Sequence, residues 1–337
     1  MDFGLTHEFA DLTWHPSHKK VVYRKDFRVP IDTKGDAVND FIGFRPIDPL
    51  VIGAVRAVEE SLDEDGKAEG KCGTGKIQVA TLSALGNGLK NNDILFTGYP
   101  VIGFHHRHQT SGTCLFTDDD DCSVCAWDRR IHGEFFHQTT IAISSSSVPQ
   151  FISDIKSLRR ILGHSSLCNS DLYYGIILCF LRNSTTFLDE PDDSVSFDIT
   201  YYRSHDPTRP RLNEDVWEEI EQMAVVKYGG RPHWGKNRPV AFIGAAAKYP
   251  GLHRFLAVKK KLDPKGLFSN AWSDAVLGVG KLPLLDTPGC ALDGRCICST
   301  DVHCAPKLGY RCRPGRVFFE ARVCRHVTDD IPQHEEL

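Results

Sequence analysis

Seven consecutive residues, Pro232-His233-Trp234-Gly235-Lys236-Asn237-Arg238, place an imidazole, an indole, an ammonium and a carboxamide in one short stretch. No element of regular structure needs that combination, so the stretch reads as a site for something anionic or polar and flat. A cation at the edge of a ring that gains negative charge during a reaction stabilises that charge as it develops. Gly235 has no Cβ and lets backbone approach a flat ring closely. Lys236 and His233 are the groups of the stretch that could do such work. The plain alternative is a loop in which Trp234 caps a hydrophobic edge while His233 and Lys236 meet water.

The elements around this stretch follow from periodicity. Lys20 to Arg24 reads as a short strand and Pro49 to Ser61 as a helix, within a stretch to about residue 140 that reads as irregular and strand-rich. Asp63 to Gly73 and the four acids Asp118 to Asp121 read as polar loops. Pro149 suits the first turn of a helix that carries Ile152, Ile155, Leu158 and Leu162 on one face. Leu172 to Leu181 is the longest apolar run, fit for a central strand and too short to cross a membrane. Val195, Phe197, Ile199 and Tyr201 alternate with Ser196, Asp198, Thr200 and Tyr202, the pattern of a half-buried strand. Asn213 is placed to cap a helix whose first turn holds Glu214 and Asp215 and whose inner face is Val216, Ile220, Met223 and Ala224. Gly251 to Leu262 forms a last helix, stopped by Asp263-Pro264-Lys265-Gly266, where proline lacks an N–H and glycine reaches positive φ. Strands come in runs without regular β-α-β alternation, which predicts an α+β fold with an antiparallel sheet covered by helices.

Apolar residues make up 41% and charged residues 25% of the 337, ordinary values for a folded chain. A net charge of −4 with scattered basic residues argues against a nucleic-acid partner. Six of the twelve cysteines, Cys290, Cys296, Cys298, Cys304, Cys312 and Cys324, crowd the end among Gly and Pro. That density predicts a disulfide-stapled tail, whose pairing the spacing does not choose. Zinc is the rival for Cys296, Cys298, Cys304 and His303, but the C-x-C spacing without a second C-x-x-C pair favours disulfides. The sequon Asn183-Ser184-Thr185 is compatible with secretion. Met1-Asp2-Phe3-Gly4 does not begin a signal peptide, so the expectation is that the natural start lies upstream.

Taken together, Pro232 to Arg238, the Leu262-Asp263-Pro264-Lys265-Gly266-Leu267-Phe268 stop, Thr97 to Phe104, Gly133 to Thr140, Asp198 to Ser204 and the cysteine-rich end resemble the sugar-1,4-lactone oxidase (D-arabinono-1,4-lactone oxidase) family of the vanillyl-alcohol-oxidase superfamily. The ending resembles its plant L-gulonolactone oxidase branch. The resemblance implies an FAD enzyme that oxidises L-gulono-1,4-lactone, or a close aldonolactone, toward L-ascorbate. Hydride would pass to flavin N5, and oxygen or another acceptor would reoxidise the flavin. The resemblance makes Lys236 and His233 the catalytic candidates, polarising flavin or substrate, and His233, Trp234, Lys236 and Asn237 the cofactor-binding candidates. It further implies that residues 1–285 are the cap, or substrate, domain and residues 286–337 a tail. The family's N-terminal FAD-binding domain is not represented, because Gly73-Thr74-Gly75 is too small and wrongly placed for a phosphate-binding segment. Localisation would be secretory or extracellular in the full-length form, with peripheral membrane association and no membrane-spanning segment. Several relatives place a Glu-x-Arg pair in the strand where a rough alignment puts Ile177 and Cys179, so either that register is off or this branch reads its lactone differently, and no catalytic base is assigned. The alternative is a truncated, non-catalytic module that binds a lactone or a protein partner without flavin.

Two other chemistries compete. His105, His106, His108, Cys114, Cys122 and Cys125 contain a C-x-x-C half-site for a tetrahedral metal, against a polar loop with paired or free cysteines. The polar loop is the better reading, and no metal is expected. Ser144 to Ser147 includes no Gly-x-Ser-x-Gly elbow, so hydrolase chemistry is set aside.

Overall fold

The computed structural model describes residues 2–33, 49–85, 89–91, 96–98, 136–173, 175–189, 192–203 and 206–330. Six strands organise them: β1 (Phe9–His15), β2 (Lys20–Asp26), β5 (Phe136–Ser144), β6 (Ile176–Leu181), β7 (Ser194–Tyr202) and β8 (Arg231–Pro232). They run in the order β2-β1-β6-β7-β5-β8, every neighbouring pair antiparallel. A separate ribbon joins β3 (Leu89–Asn91) to β4 (Phe96–Gly98).

Alternation decides which face of the sheet is covered. Val195, Phe197, Ile199 and Tyr201 of β7 are buried, as are Ile141 and Ile143 of β5, Ile176 and Leu178 of β6 and Trp14 of β1. On that face lie α4 (Val148–Leu162) and α5 (Glu214–Gln222). Phe151 of α4 meets Phe197 edge to face at 4.9 Å. Each such side chain withdrawn from water contributes about 1.5–3 kcal/mol before packing terms. The fold is α+β, an antiparallel sheet faced by helices, as the patterning predicts.

Several local expectations need correction. The buried stripe of α4 is Phe151, Ile155 and Leu158, while Ile152 and Leu162 lie half-buried at its flank. The strand expected from Leu172 starts at Ile176, because His164–Tyr173 winds as 3-10 turns and the chain then bends at Gly175. Gly175 has φ +80°, and a Cβ there would stand 2.7 Å from the Trp14 carbonyl oxygen. Asn213 precedes α5, but its side chain caps nothing and instead donates to the Ser165 carbonyl at 3.5 Å. Glu214 closes that end by accepting the Arg211 N–H at 2.9 Å.

The early part of the chain is also more helical than its composition implies. Asp63 to Gly73 is no loop: α2 (Pro49–Glu64) and α3 (Ala68–Leu85) leave only residues 65–67 between them. Gly73-Thr74-Gly75 lies within α3. Lys71, fully buried, bonds to Asp63 at 2.8 Å, and Gly70 gives Leu62 the room to pack against it. Cys72 of α3 is disulfide-bonded to Cys168 across 96 residues. A native cross-link of this kind typically contributes about 2–4 kcal/mol, largely by restricting the unfolded chain. Replacing Cys72 and Cys168 together by Ser is expected to lower stability by about that amount. A urea midpoint at the wild-type value would show that α3 docks without the bond.

The tail cysteines pair as Cys290–Cys296, Cys298–Cys312 and Cys304–Cys324. The sulfurs of the zinc alternative are therefore spent in S–S bonds, and His303 faces Asp286 at 2.7 Å. β9 (Tyr310–Pro314) and β10 (Arg322–His326) form the tail's ribbon, with Cys312 opposite Cys324. Ala291, Leu292 and four of the cysteines make its small core. Phe318, Ala321 and Val323 instead join the main core beneath α5.

Candidate functional site

The loop from Pro232 to Arg238 is laid along the sheet by β5. His233 N–H donates to the Thr140 carbonyl at 2.9 Å, and the Thr140 N–H donates to Asn237 Oδ1 at 3.1 Å. Between these contacts the chain turns tightly, with the N–H groups of Lys236 and Asn237 both reaching the His233 carbonyl at 3.4 Å. The loop starts from a short π turn, Met223–Lys227, after which Gly229 and Gly230 redirect it into β8. Lys248 fixes that entry by donating to the carbonyls of Val225 and Gly230 at 2.6 and 2.7 Å. Burial and the neighbouring Arg231 push the Lys248 ammonium down to about 8.

This geometry gives the four predicted residues different positions. Lys236 Nζ stands 2.5 Å from Asp198 Oδ2 on the sheet face that the helices among the described residues leave open, and Gln138 Nε2 donates to the other Asp198 oxygen at 2.9 Å. His233 is exposed, and its Nδ1 accepts the Gly235 N–H at 3.1 Å, which puts the neutral ring's proton on Nε2. Trp234 turns away from Lys236, donating from Nε1 to the Tyr249 hydroxyl at 3.0 Å. Asn237 is buried and committed to β5 through Thr140 and, at 3.5 Å, Thr139 Oγ1.

Register carries the open face across five strands. Asp198 lies between Thr140 of β5 and Ile177 of β6. One row further on, Cys179 lies between Ser196 of β7 and Asp11 of β1, and Asp11 is ion-paired with Arg24 of β2. Ile177 and Cys179 are thus flanked by two carboxylate–cation pairs, Asp198–Lys236 and Asp11–Arg24. Burial first, then the Asp11 and Asp198 carboxylates, raise the Cys179 thiol pKa and keep it protonated at neutral pH. It is the free cysteine among the described residues.

The opposite face carries a buried charge network that anchors the loop from behind. Arg238 is ion-paired with Glu221, whose other oxygen accepts from Thr139 Oγ1 at 2.6 Å. Arg238 and Arg211 both lie near Glu218 and over the Tyr201 ring. Burial and the adjacent Glu214 hold the Glu218 carboxyl well above the ordinary range, while burial pushes the Tyr201 hydroxyl up to about 12. His137, 3.8 Å from Asp293, is held well below the ordinary imidazole range by burial and by Arg211, Arg238 and Arg203.

Comparison with known proteins places these features. Residues 124–276 match the family described as D-arabinono-1,4-lactone oxidase, and residues 287–326 match the C-terminal domain of L-gulonolactone oxidase 2-like proteins. L-gulonolactone oxidase 5 of Arabidopsis thaliana is 50% identical over 328 residues, 97% of this chain and 55% of that protein. L-gulonolactone oxidase 2 of the same plant is 50% identical over 330 residues, 98% of this chain and 56% of that protein. A probable truncated L-gulonolactone oxidase 7, mitochondrial, is 49% identical over 241 residues, covering 95% of its length. The chain belongs to the L-gulonolactone oxidase family. It spans about half the length of the longer relatives it matches.

Within this L-gulonolactone oxidase family member, the lactone-oxidase match contains Lys236 and Asp198, and the C-terminal match contains all six tail cysteines. The sequence reading gave no role to Asp198, Gln138, Asp11 or Arg24. For Asp198 a signal existed, since it is the acid among the outward positions Ser196, Asp198 and Thr200 of an alternating strand. Asp11 and Arg24 carried none, because only pairing of β1 with β6 brings them beside Cys179. His105, His106, His108, Cys114, Cys122, Cys125, the acids at 118–121 and Tyr99 to Phe104 lie outside the described residues.

Proposed function

We propose that this chain forms the substrate-side half, the cap domain, of an FAD-dependent oxidase of L-gulono-1,4-lactone or a close aldonolactone. The observation that carries the reading is the Lys236 ammonium held by Asp198 on the sheet face opposite α4 and α5, uncovered by helices among the described residues, in a chain of this family. The residues present fit a flat ring at that face. A Cβ built on Gly235 would meet only the His233 ring, at 3.6 Å, so the space before it is open. An ammonium has three N–H donors and Asp198 takes one, which leaves Lys236 able to serve a second acceptor.

When bound, the flavin would supply the hydride acceptor at N5, with oxygen or another acceptor completing the cycle. Lys236 would supply positive charge toward the negative charge that develops on the ring, and exposed His233 of the same loop would offer a second donor through Nε2. Trp234 and Asn237 fix the loop that presents both. Asp11, Arg24, Asp198 and Gln138 supply the alternating acceptors and donors that a polyhydroxylated lactone requires, and Ile177 and Cys179 form the floor between them. Four disulfides among the described cysteines support an oxidising, secretory setting.

The test is anaerobic mixing of the complete, FAD-loaded protein with L-gulono-1,4-lactone. Bleaching of the flavin absorbance is expected; a flavin that stays oxidised would remove the oxidase reading and favour a non-catalytic lactone- or protein-binding module. The D198N variant should lower the rate of bleaching at least about tenfold, the loss of one charge-assisted hydrogen bond. Unchanged rates across the pH profile would leave Asp198 without a part in the reaction.

A further inference from the structure

We propose that Asn183 is a site of N-linked glycosylation, independent of the oxidase reading and resting on the secretory setting that the disulfides support. Asn183-Ser184-Thr185 satisfies the acceptor pattern, with Ser at the middle position and Thr at the third. The pattern alone recurs often by chance, so its place in the fold decides. Here it opens the connection between β6 and β7, and both Asn183 and Thr185 are exposed.

The connection holds Asn183 outward while its flanks are tied down. The Asn183 backbone N–H donates to Asp193 Oδ1 at 2.9 Å, and Arg182 pairs with the other Asp193 oxygen at 3.4 Å, so the two strand ends are clamped at their base. Further along, Phe187 sits under the Arg254 guanidinium at 4.6 Å and the Asp189 carbonyl accepts from Arg231 at 2.7 Å. Thr185, Phe187 and Leu188 line a shallow groove with Phe255 of the helix Leu252–Leu262. A glycan leaving Asn183 would project from the end of the sheet alongside that groove.

Its position also spares the candidate site. The sheet ends where Leu181 pairs with Ser194, and Asp198 lies four residues further along β7. At roughly 3.3 Å per residue the attachment point stands about 13 Å or more from the Asp198–Lys236 pair. A glycan there leaves the open face accessible.

The transfer is a substitution without redox change. Asn183 Nδ2 bonds to the anomeric carbon of a lipid-pyrophosphate-linked oligosaccharide, losing one proton. The anomeric C–O bond breaks and the lipid pyrophosphate leaves.

The complete protein, secreted from a eukaryotic host, is treated with peptide N-glycosidase and then digested with trypsin. Wild type should lose roughly 2–3 kDa on treatment, and the Asn183–Arg203 peptide should gain the mark of about 1 Da left by deglycosylation. N183Q and T185A should lose that shift, whereas T185S should keep it, so a variant that folds poorly does not decide the matter. An unmodified Asn183–Arg203 peptide, recovered with the Cys304–Cys324 bond intact, would overturn the proposal, because the chain would then have passed the oxidising route without a glycan.

Discussion

Replacing Lys236 by Met in the complete, flavin-loaded protein is expected to slow lactone-driven flavin reduction by about 10²–10³-fold, the cost of removing one preorganised charge from a developing anion. Met keeps the length and most of the volume of the side chain. The loop should also stay in place, because its anchors are backbone bonds from His233 and Thr140 and the Asn237 carboxamide. The substitution therefore separates charge from architecture. Stopped-flow absorbance under nitrogen measures the rate, and an unchanged thermal midpoint confirms the scaffold. Reduction at the wild-type rate would exclude Lys236 from the chemistry and shift attention to His233, its exposed neighbour. The D198N variant complements it: if Asp198 mainly orients the ammonium, it should cost less than K236M, and the double variant should cost little more than K236M alone.

The largest effect expected on stability comes from Glu219. This α5 carboxylate is 2% exposed and accepts three backbone N–H groups of the tail, from Arg316 at 2.7 Å, Val317 at 2.6 Å and Phe318 at 2.8 Å. Removing it leaves three donors without an acceptor where water does not reach, at about 1–3 kcal/mol each. E219A is therefore expected to lose about 4 kcal/mol or more in denaturant unfolding. E219Q retains an acceptor oxygen and should fall between. Gln222 secures the same junction by accepting the Arg322 N–H at 2.9 Å and donating to its carbonyl at 2.8 Å. An E219A midpoint within about 1 kcal/mol of wild type would mean that the tail is held by Phe318, Ala321 and Val323 packing instead.

The sequence made the sheet legible because burial on one face imposes a period of two. Val195, Phe197, Ile199 and Tyr201 announced β7 and, by elimination, marked Asp198 as outward. Helices α4, α5 and Leu252–Leu262 were legible from proline position, the acidic first turn of α5 and the Asp263 stop, where the carboxylate accepts the N–H groups of Leu267 and Phe268. Helix α3 was not, because its three glycines and two lysines read as loop. What makes it helical is tertiary: the buried Lys71–Asp63 pair and the bond to Cys168. The site was half legible for a related reason. The run from His233 to Asn237 shows which groups are gathered, but it cannot show that Lys236 meets a carboxylate 38 residues earlier in the chain or that Cys179 is bordered by Asp11 and Arg24. Those neighbours exist only once strand order is set.

One detail of the loop shapes how variants near it are to be read. Lys236 stands on the open face of the sheet and Arg238, two residues later, on the covered face, where it binds Glu221 and packs so closely on Gly294 that a Cβ there would come within 2.5 Å of its Cδ. The segment is thus threaded around the sheet's rim like a clasp, with its working tip outside and its pin inside. A scan through this segment would mix two kinds of failure at neighbouring positions. Inactive Lys236 variants should be abundant, folded protein, whereas inactive Arg238 variants should be scarce, because the uncompensated Glu221 left inside costs about 3–5 kcal/mol. Yield, measured beside turnover, tells tip from pin.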